Sequence, residues 1–194
     1  RPGTVGDRAG NFTVQNSDVL LVIGSRLNIR QVSYNWRSFA RAAWIAQVDV
    51  DAGELDKPTV RPHLAVHADA REFLLALRGE LRRRGWDATR FASWVRWVRE
   101  RVERYPVVRA DQRVIVGEQV NPYHALDRLF ALLADDDVVV CGDGSACVMT
   151  KQVATIRGTQ RLFTNSGSAS MGYDLPAAIG AVVARGGRRV KIGR

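Results

Sequence analysis

Long apolar runs are missing from this sequence of 194 residues. The run Val19 to Ile23 has the length of a buried strand, far short of the roughly 20 residues of a membrane-spanning helix. A transmembrane helix is excluded on that ground, and no membrane partner is expected. Cysteine is scarce. Cys141 and Cys147 stand six apart with no second pair, which supports neither a zinc knuckle nor a disulfide framework. Two buried thiols in a reducing cytoplasm are the expectation. Histidine is scarcer than its spacing suggests: His63 and His67 read as HxxxH, but the intervening Leu-Ala-Val is strand-like. On a strand that spacing separates them by about 13 Å, too far to share one metal. Neither GxGxxG nor GxxxxGK[ST] occurs, so neither nucleotide fingerprint is met. The start, Arg1-Pro2-Gly3-Thr4, has no initiator Met and no signal-peptide apolar region, and reads as a cut inside a longer chain.

What is present is the material of a folded protein. Hydrophobic residues make up 46% and charged residues 25%, enough for one core or two small ones. The net charge is +9, which raises the question of nucleic acid. The excess is largely local: Arg78 to Arg104 holds nine arginines against four acidic residues. The plain reading of that stretch is a solvated helical linker. Trp86, Trp94 and Trp97 lie among the arginines, where stacking on a base is one option. The i, i+3 spacing of Trp94 and Trp97 is equally a helix-packing face, and a nucleic-acid partner is not expected.

Strand and helix signals alternate over residues 18–70. Asp18 to Gly24 reads as a strand buried on both faces. Gln31 to Ala43 carries Val32, Trp36, Phe39 and Ala43 at helical spacing. Trp44 to Val50 is a second strand ending in Asp49 and Asp51. A short helix at 52–55 and a strand at His63 to His67 follow. Asp69 then caps a long helix with Phe73, Leu74, Leu77 and Leu81 on one face, ended near Gly85. Residues 85–120 read as a helical Arg/Trp-rich linker broken at Pro106. Alternation restarts at Asn121-Pro122, an N-cap followed by proline at the first helical position. Asp137 to Cys141 is a strand, Gly142-Asp143-Gly144-Ser145 a tight turn, and Ser145 is expected to cap a helix through about Ile156. Arg161 to Thr164 is a strand, Asn165 to Gly172 a loop of small residues, Asp174 to Val183 a helix, and Arg189 to Ile192 a strand. The expected fold class is α/β: Rossmann-like parallel sheets flanked by helices, in two partial domains. The expected boundaries are 1–84, 85–120 for the linker, and 121–194.

Ligands in such folds sit at the carboxyl ends of strands, which directs attention to three loops. In Gly142 to Ser145, glycines allow close approach to a phosphate and the helix start offers free N–H groups. The plain alternative is an ordinary strand–helix turn. Asn165 to Gly172 leaves room for a ligand, with Met171 as an apolar wedge beneath it. The plain alternative places Met171 in the core. The third loop is Gly24 to Arg30.

At these loops the sequence resembles the thiamine-diphosphate-dependent enzymes, and within them the acetolactate synthase branch. The matching stretches are GDRAGNFTVQNSDVLLVIGSRLNIRQVSYN, AQVDVDAGELDKPTV, VVVCGDGSA and FTNSGSASMGYDLPAAIGA, in the family's order. The resemblance implies that residues 1–84 are the second half of the family's central domain, and 121–194 the first half of its diphosphate-binding domain. It implies that Gly142, Asp143, Gly144 and Ser145 help hold the cofactor's diphosphate. Ser168, Ala169, Ser170 and Met171 would cradle the aminopyrimidine, with Met171 propping the cofactor in its bent form. The bend brings the 4′-imino nitrogen to the thiazolium C2–H, so no protein base is needed there. The implied substrate is a 2-keto acid and the implied assembly a homodimer or homotetramer.

The family's pyrimidine-protonating Glu has no counterpart here, so no catalytic residue is assigned and the 194 residues alone are expected to be silent. The family's Mg2+ motif should begin after the strand at 189–192, where the sequence reads Gly193-Arg194. Asp143 imitates that motif one strand–helix unit early and is not assigned to magnesium. Asn165, in the pyrimidine loop, does not complete it. The Gly24 to Arg30 loop keeps Arg26 and Arg30 but lacks the family's acidic pair, which counts against FAD. The rival reading is a non-catalytic Rossmann-like nucleotide-binding module with Asp49 or Asp51 on a ribose.

Overall fold

The computed structural model describes residues 1–187 and 190–193, with side chains up to Gly187 and at Val190. The fold is mixed α/β with parallel sheets, and the chain divides into two compact units, Arg1–Tyr105 and Pro106–Arg194.

The first unit opens with helix α1 (Arg8–Gln15), capped by Asp7 through Gly10 N. Strand β1 (Val19–Ile23), a one-turn helix α2 (Ile29–Val32), strand β2 (Trp44–Asp49), helix α3 (Ala52–Leu55) and strand β3 (Leu64–His67) follow. The strands pair in parallel in the order β1-β2-β3, with Val19 opposite Trp44 and Ala46 opposite Leu64. β2 is central, and all of it beyond Trp44 is buried. One face carries the core: Val22, Leu27, Val32, Phe39, Ala40, Ala43, Ile45 and Val60. The other face is thinly covered, since Val19, Leu21, Trp44 and Leu64 remain exposed.

The helix expected over 31–43 does not form. After α2 the chain turns at Ser33 (φ +65), makes one 3₁₀ turn at Trp36–Ser38 and turns again at Ala40 (φ +45). Left-handed residues end a helix, and Ser33-Tyr34-Asn35 gains little from helical conformation. Val32, Phe39 and Ala43 are nevertheless buried. The apolar spacing marks which side chains enter the core, not the path of the backbone.

Helix α4 (Ala70–Arg84) starts at its Asp69 cap and stops at left-handed Gly85. On its expected apolar face Phe73, Leu77 and Leu81 are half-buried, and Leu74 is exposed. Helix α5 (Ala92–Arg104) packs on α1, so the Arg/Trp stretch up to Tyr105 belongs to the first unit. Trp94 and Trp97 stack at 5.1 Å and 9°, Arg101 lies 4.7 Å over the Trp97 ring, and Phe12 meets Tyr105 at 5.0 Å. These aromatic faces are occupied by the protein itself.

In the second unit, helix α6 (Pro122–Leu132) is capped by Asn121 through Tyr123 N. Strand β4 (Val138–Cys141), helix α7 (Gly144–Val153), strand β5 (Arg161–Thr164), helix α8 (Asp174–Ala184) and strand β6 (Val190–Gly193) complete it. Arg189, where the last strand was expected to begin, lies outside the described residues. The strands are parallel in the order β5-β4-β6. All four residues of β4 are buried, as a central run of β-branched side chains requires. Helices cover both faces: Phe130, Leu133, Val139 and Ala154 pack on one, and Val138, Val140 and Ala178 on the other. Two local expectations change. Asp143, not Ser145, occupies the cap position of α7, and α7 ends at Val153 rather than near Ile156.

Candidate functional site

The loop after β1 is filled by its own side chains. Gly24 (φ +58) turns the chain and donates to Val48 O. Ser25 Oγ accepts from Gln31 Nε2 at 2.9 Å, and Asn28 Oδ1 from Arg30 N at 2.9 Å. Leu27 is buried. Lys57 Nζ donates to Arg26 O and reaches Leu27 O at 3.4 Å, and it pairs with Glu54 at 2.8 Å. Glu54 also faces Arg26 Nη1 at 3.7 Å. The two acids that the rival reading placed on a ribose organise the turn into α3. Asp49 Oδ1 accepts from Asp51 N at 3.0 Å, and Asp51 Oδ1 from Gly53 N at 2.8 Å.

The loops after β4 and β5 have the opposite character. Cys141 lies opposite Thr164 in register, so residues 142–145 and 165–173 leave neighbouring strands at the same end. Two contacts tie them together. Lys151 Nζ, on α7, donates to Ser166 Oγ at 2.8 Å. The buried Asp174, at the start of α8, lies against Gly142, where an added Cβ would stand 3.4 Å from Asp174 Cγ.

Within the first of these loops Gly144 has φ +62, and a Cβ there would meet nothing within 4 Å. Its glycine character therefore serves conformation and open approach rather than packing. Gly144 and Ser145 are exposed. Asp143 stands at the cap position of α7, yet its side chain caps no amide of the first turn. Both its carboxylate oxygens are sealed from solvent and meet no hydrogen-bond partner among the described residues. In the second loop Ser168, Ala169, Ser170 and Met171 are all exposed. Ala169 N donates to Asn165 O at 2.7 Å, and Ala169 (φ +52) and Gly172 (φ +80) set a tight bend. Met171 is 94% exposed, so it is not the core residue of the plain alternative.

An uncapped N-terminus of a ten-residue helix, entered through a glycine with open space beside it, suits an anion such as a diphosphate. The residues at hand fit that group through Gly144 and Ser145. Asp143 does not fit a phosphate, because two anions repel. The cysteines offer no nucleophile: both are free and buried. Burial pushes the Cys141 thiol up, and its hydrogen bond with Thr150 offsets this only in part. Among the described residues no group of three or more His, Cys, Asp or Glu side chains is placed to hold a metal. None of the described helices is long and apolar enough to cross a membrane. Sequence reasoning missed Lys151, Ser166 and Asp174. Asp174 had a signal as the acid opening a helix, but nothing in the sequence links Lys151 to Ser166.

Comparison with known proteins gives two family matches. Residues 1–77 match "Thiamine pyrophosphate enzyme, central domain" and residues 142–192 match "Thiamine pyrophosphate enzyme, C-terminal TPP binding domain". The chain is 30% identical over 192 residues to the probable acetolactate synthase 2, chloroplastic, of Oryza sativa subsp. japonica, covering 97% of the chain and 28% of that protein. It is 29% identical over 191 residues to the acetolactate synthase isozyme 1 large subunit of Escherichia coli (strain K12), covering 97% and 32%. It is 29% identical over 184 residues to acetolactate synthase 1, chloroplastic, of Nicotiana tabacum, covering 94% and 27%. The chain thus spans less than a third of the length of these relatives. With both domain matches in order over more than half of its length, the chain belongs to the thiamine pyrophosphate enzymes and is similar to their acetolactate synthases.

Proposed function

We propose that this chain supplies the diphosphate and pyrimidine loops of a thiamine-diphosphate-dependent 2-keto acid carboligase or decarboxylase of the acetolactate synthase type. One observation carries the reading: two loops leave adjacent strand ends on the same side, and the second is held to α7, the helix the first loop opens, by the Lys151–Ser166 hydrogen bond. The first turn of α7, at Gly144 and Ser145, would receive the diphosphate through backbone N–H groups and the Ser145 hydroxyl. The bend of Ser168, Ala169, Ser170 and Met171 would receive the aminopyrimidine. Met171 stands clear of the protein's own core and so is available as an apolar prop under the ligand. Lys151 would position the pyrimidine loop by holding Ser166. When bound, thiamine diphosphate supplies the electron sink for carbon–carbon cleavage beside the carbonyl of a 2-keto acid.

Neither loop contains a glutamate, so no residue of this chain is assigned to protonate the pyrimidine. Mg2+ belongs to the reading through the family's second acidic turn, whose position falls at Gly193 and Arg194; Arg194 is outside the described residues. FAD is left out of the reading, because Arg26 is held by Glu54 and Lys57 fills the carbonyls of the same loop. A homodimer or homotetramer in the cytoplasm remains part of the proposal, on the resemblance and on two free thiols.

Isothermal calorimetry tests it. The purified chain binds thiamine diphosphate with Mg2+ present, yet forms no acetolactate from pyruvate. Absence of binding overturns the cofactor assignment. Acetolactate formation overturns the assignment of no catalytic residue.

A further inference from the structure

In the first unit, Arg8, Asn11, Phe12 and Gln15 of α1 and its C-cap Asn16 are spaced i, i+3, i+4, i+7 and i+8, which puts them on one helical face. The parallel register sets Val19 opposite Trp44, and Trp44 N donates to Asp18 O at 2.7 Å. Asn16 and Arg41 each precede their strand by three residues, so the two chain segments enter the sheet side by side. Together these six residues line a cleft of about 370 Å³. Its Asn16–Arg41 end stands at the entry to β1 and β2, opposite to the end that carries Gly24.

The cleft holds positive charge that the chain does not neutralise. Arg8 and Arg41 are exposed, and neither makes a hydrogen bond or an ion pair with a described residue. Elsewhere Arg26, Arg113 and Arg185 each face a carboxylate. None of the six lining residues is acidic. The amides of Asn11 and Asn16 are committed to the protein: Asn11 accepts from Gly3 N at 2.7 Å and donates to Gly3 O at 3.2 Å, and Asn16 Nδ2 donates to Phe12 O at 2.7 Å. The two guanidiniums are the groups left to recognise a ligand. Arg8 is also held in place without spending its N–H donors, since its Cζ lies 4.5 Å over the Tyr105 ring and 5.9 Å over that of Phe12.

We propose that this cleft binds a compact dicarboxylate, one carboxylate on Arg8, the other on Arg41, and the hydrocarbon between them against Phe12. A guanidinium offers paired N–H donors that match a planar carboxylate. Arg8 and Asn16 stand about 12 Å apart along the helix axis, with Phe12 midway, and the long arginine side chains shorten the span a ligand has to bridge. An apolar wall between two cationic ends suits a dianion with a carbon spacer. A single inorganic oxyanion engages one end and leaves that wall unused. A cleft of this volume is at the small end of ligand sites. None of its residues belongs to the loops assigned to the cofactor.

The test titrates the isotopically labelled full chain with succinate at fixed pH and ionic strength, following backbone amides and arginine Nε–H signals. Shifts centre on residues 8–16 and 41 and saturate with a dissociation constant of about 1 mM or tighter. Acetate and inorganic phosphate, titrated in parallel, bind at least several-fold more weakly. Arg41→Gln weakens succinate by roughly ten-fold, the scale of one charge-assisted contact. Arg41→Lys, which keeps the charge without the planar fork, falls between. The Arg41 side chain pairs with no described group, so both variants keep the wild-type melting temperature. The proposal is overturned if the succinate response does not saturate or centres elsewhere. It is equally overturned if acetate or phosphate binds as tightly as succinate, or if Arg41→Gln binds succinate like the wild type.

Discussion

The two units are built on one plan and end their strands in contrasting ways. Each has a three-stranded parallel sheet with a buried central strand, and each has a strand that runs into a glycine turn: the edge strand β1 in the first unit and the central strand β4 in the second. After β1, the loop Gly24 to Arg30 uses its polar groups internally: Ser25 with Gln31, Asn28 with Arg30, and Arg26 and Lys57 with Glu54. After β4, the loop Gly142 to Ser145 leaves its acid unpaired, its helix start uncapped and its second glycine facing open space. Topology puts both loops where ligands bind in α/β folds. Which of them is equipped to bind one depends on the polar groups each keeps in reserve. A strand-end loop satisfied by its own chain is a structural joint; one with unsatisfied groups is a receptor.

That contrast can be broken by substitution. The largest effect is expected from Gly144→Val. A β-branched side chain is strained at φ +62 and occupies the open space beside the helix start. Thiamine diphosphate affinity falls by about a hundred-fold or more, measured by calorimetry. Lys151→Met comes next. It removes the Lys151–Ser166 hydrogen bond and loosens the pyrimidine loop, and affinity drops roughly ten-fold, with the loss of a hydrogen bond to a charged group setting the scale. Thermal melting checks that this variant remains folded.

Met171→Ala sharpens the comparison, because it separates binding from stability. A side chain this exposed contributes almost nothing to the fold, so denaturant unfolding changes by less than about 0.5 kcal/mol. Cofactor affinity falls several-fold as the apolar prop is lost. Glu54→Gln gives the mirror result in the first unit. It removes the partner of Arg26 and Lys57, and stability falls by roughly 1 kcal/mol. Thiamine diphosphate affinity is unchanged.

The elements were more legible in the sequence than the connections. The β-branched runs at 19–23, 44–49 and 138–141 and the Asp69, Asn121 and Gly85 signals declare their elements locally. The 31–43 segment misled because apolar spacing reports burial, and burial was achieved there by turns at Ser33 and Ala40. Arg78 to Arg104 read as a linker because charge dominates its composition. The packing of α5 on α1 is marked by Tyr105, just past α5, meeting Arg8 and Phe12 of α1, partners distant in sequence. In the candidate site the loops and their order were legible, since glycines and small residues mark them. The Lys151–Ser166 tie and the unpaired state of Asp143 were not, because both depend on how two strand ends are set side by side.

The most direct measurement is amide chemical-shift mapping of the isotopically labelled chain titrated with thiamine diphosphate. Perturbations should be confined to residues 142–146 and 165–173, with those at 24–30 unmoved. Shifts centred on the Gly24 to Arg30 loop, with the second unit silent, would contradict the division between a closed joint and an open receptor.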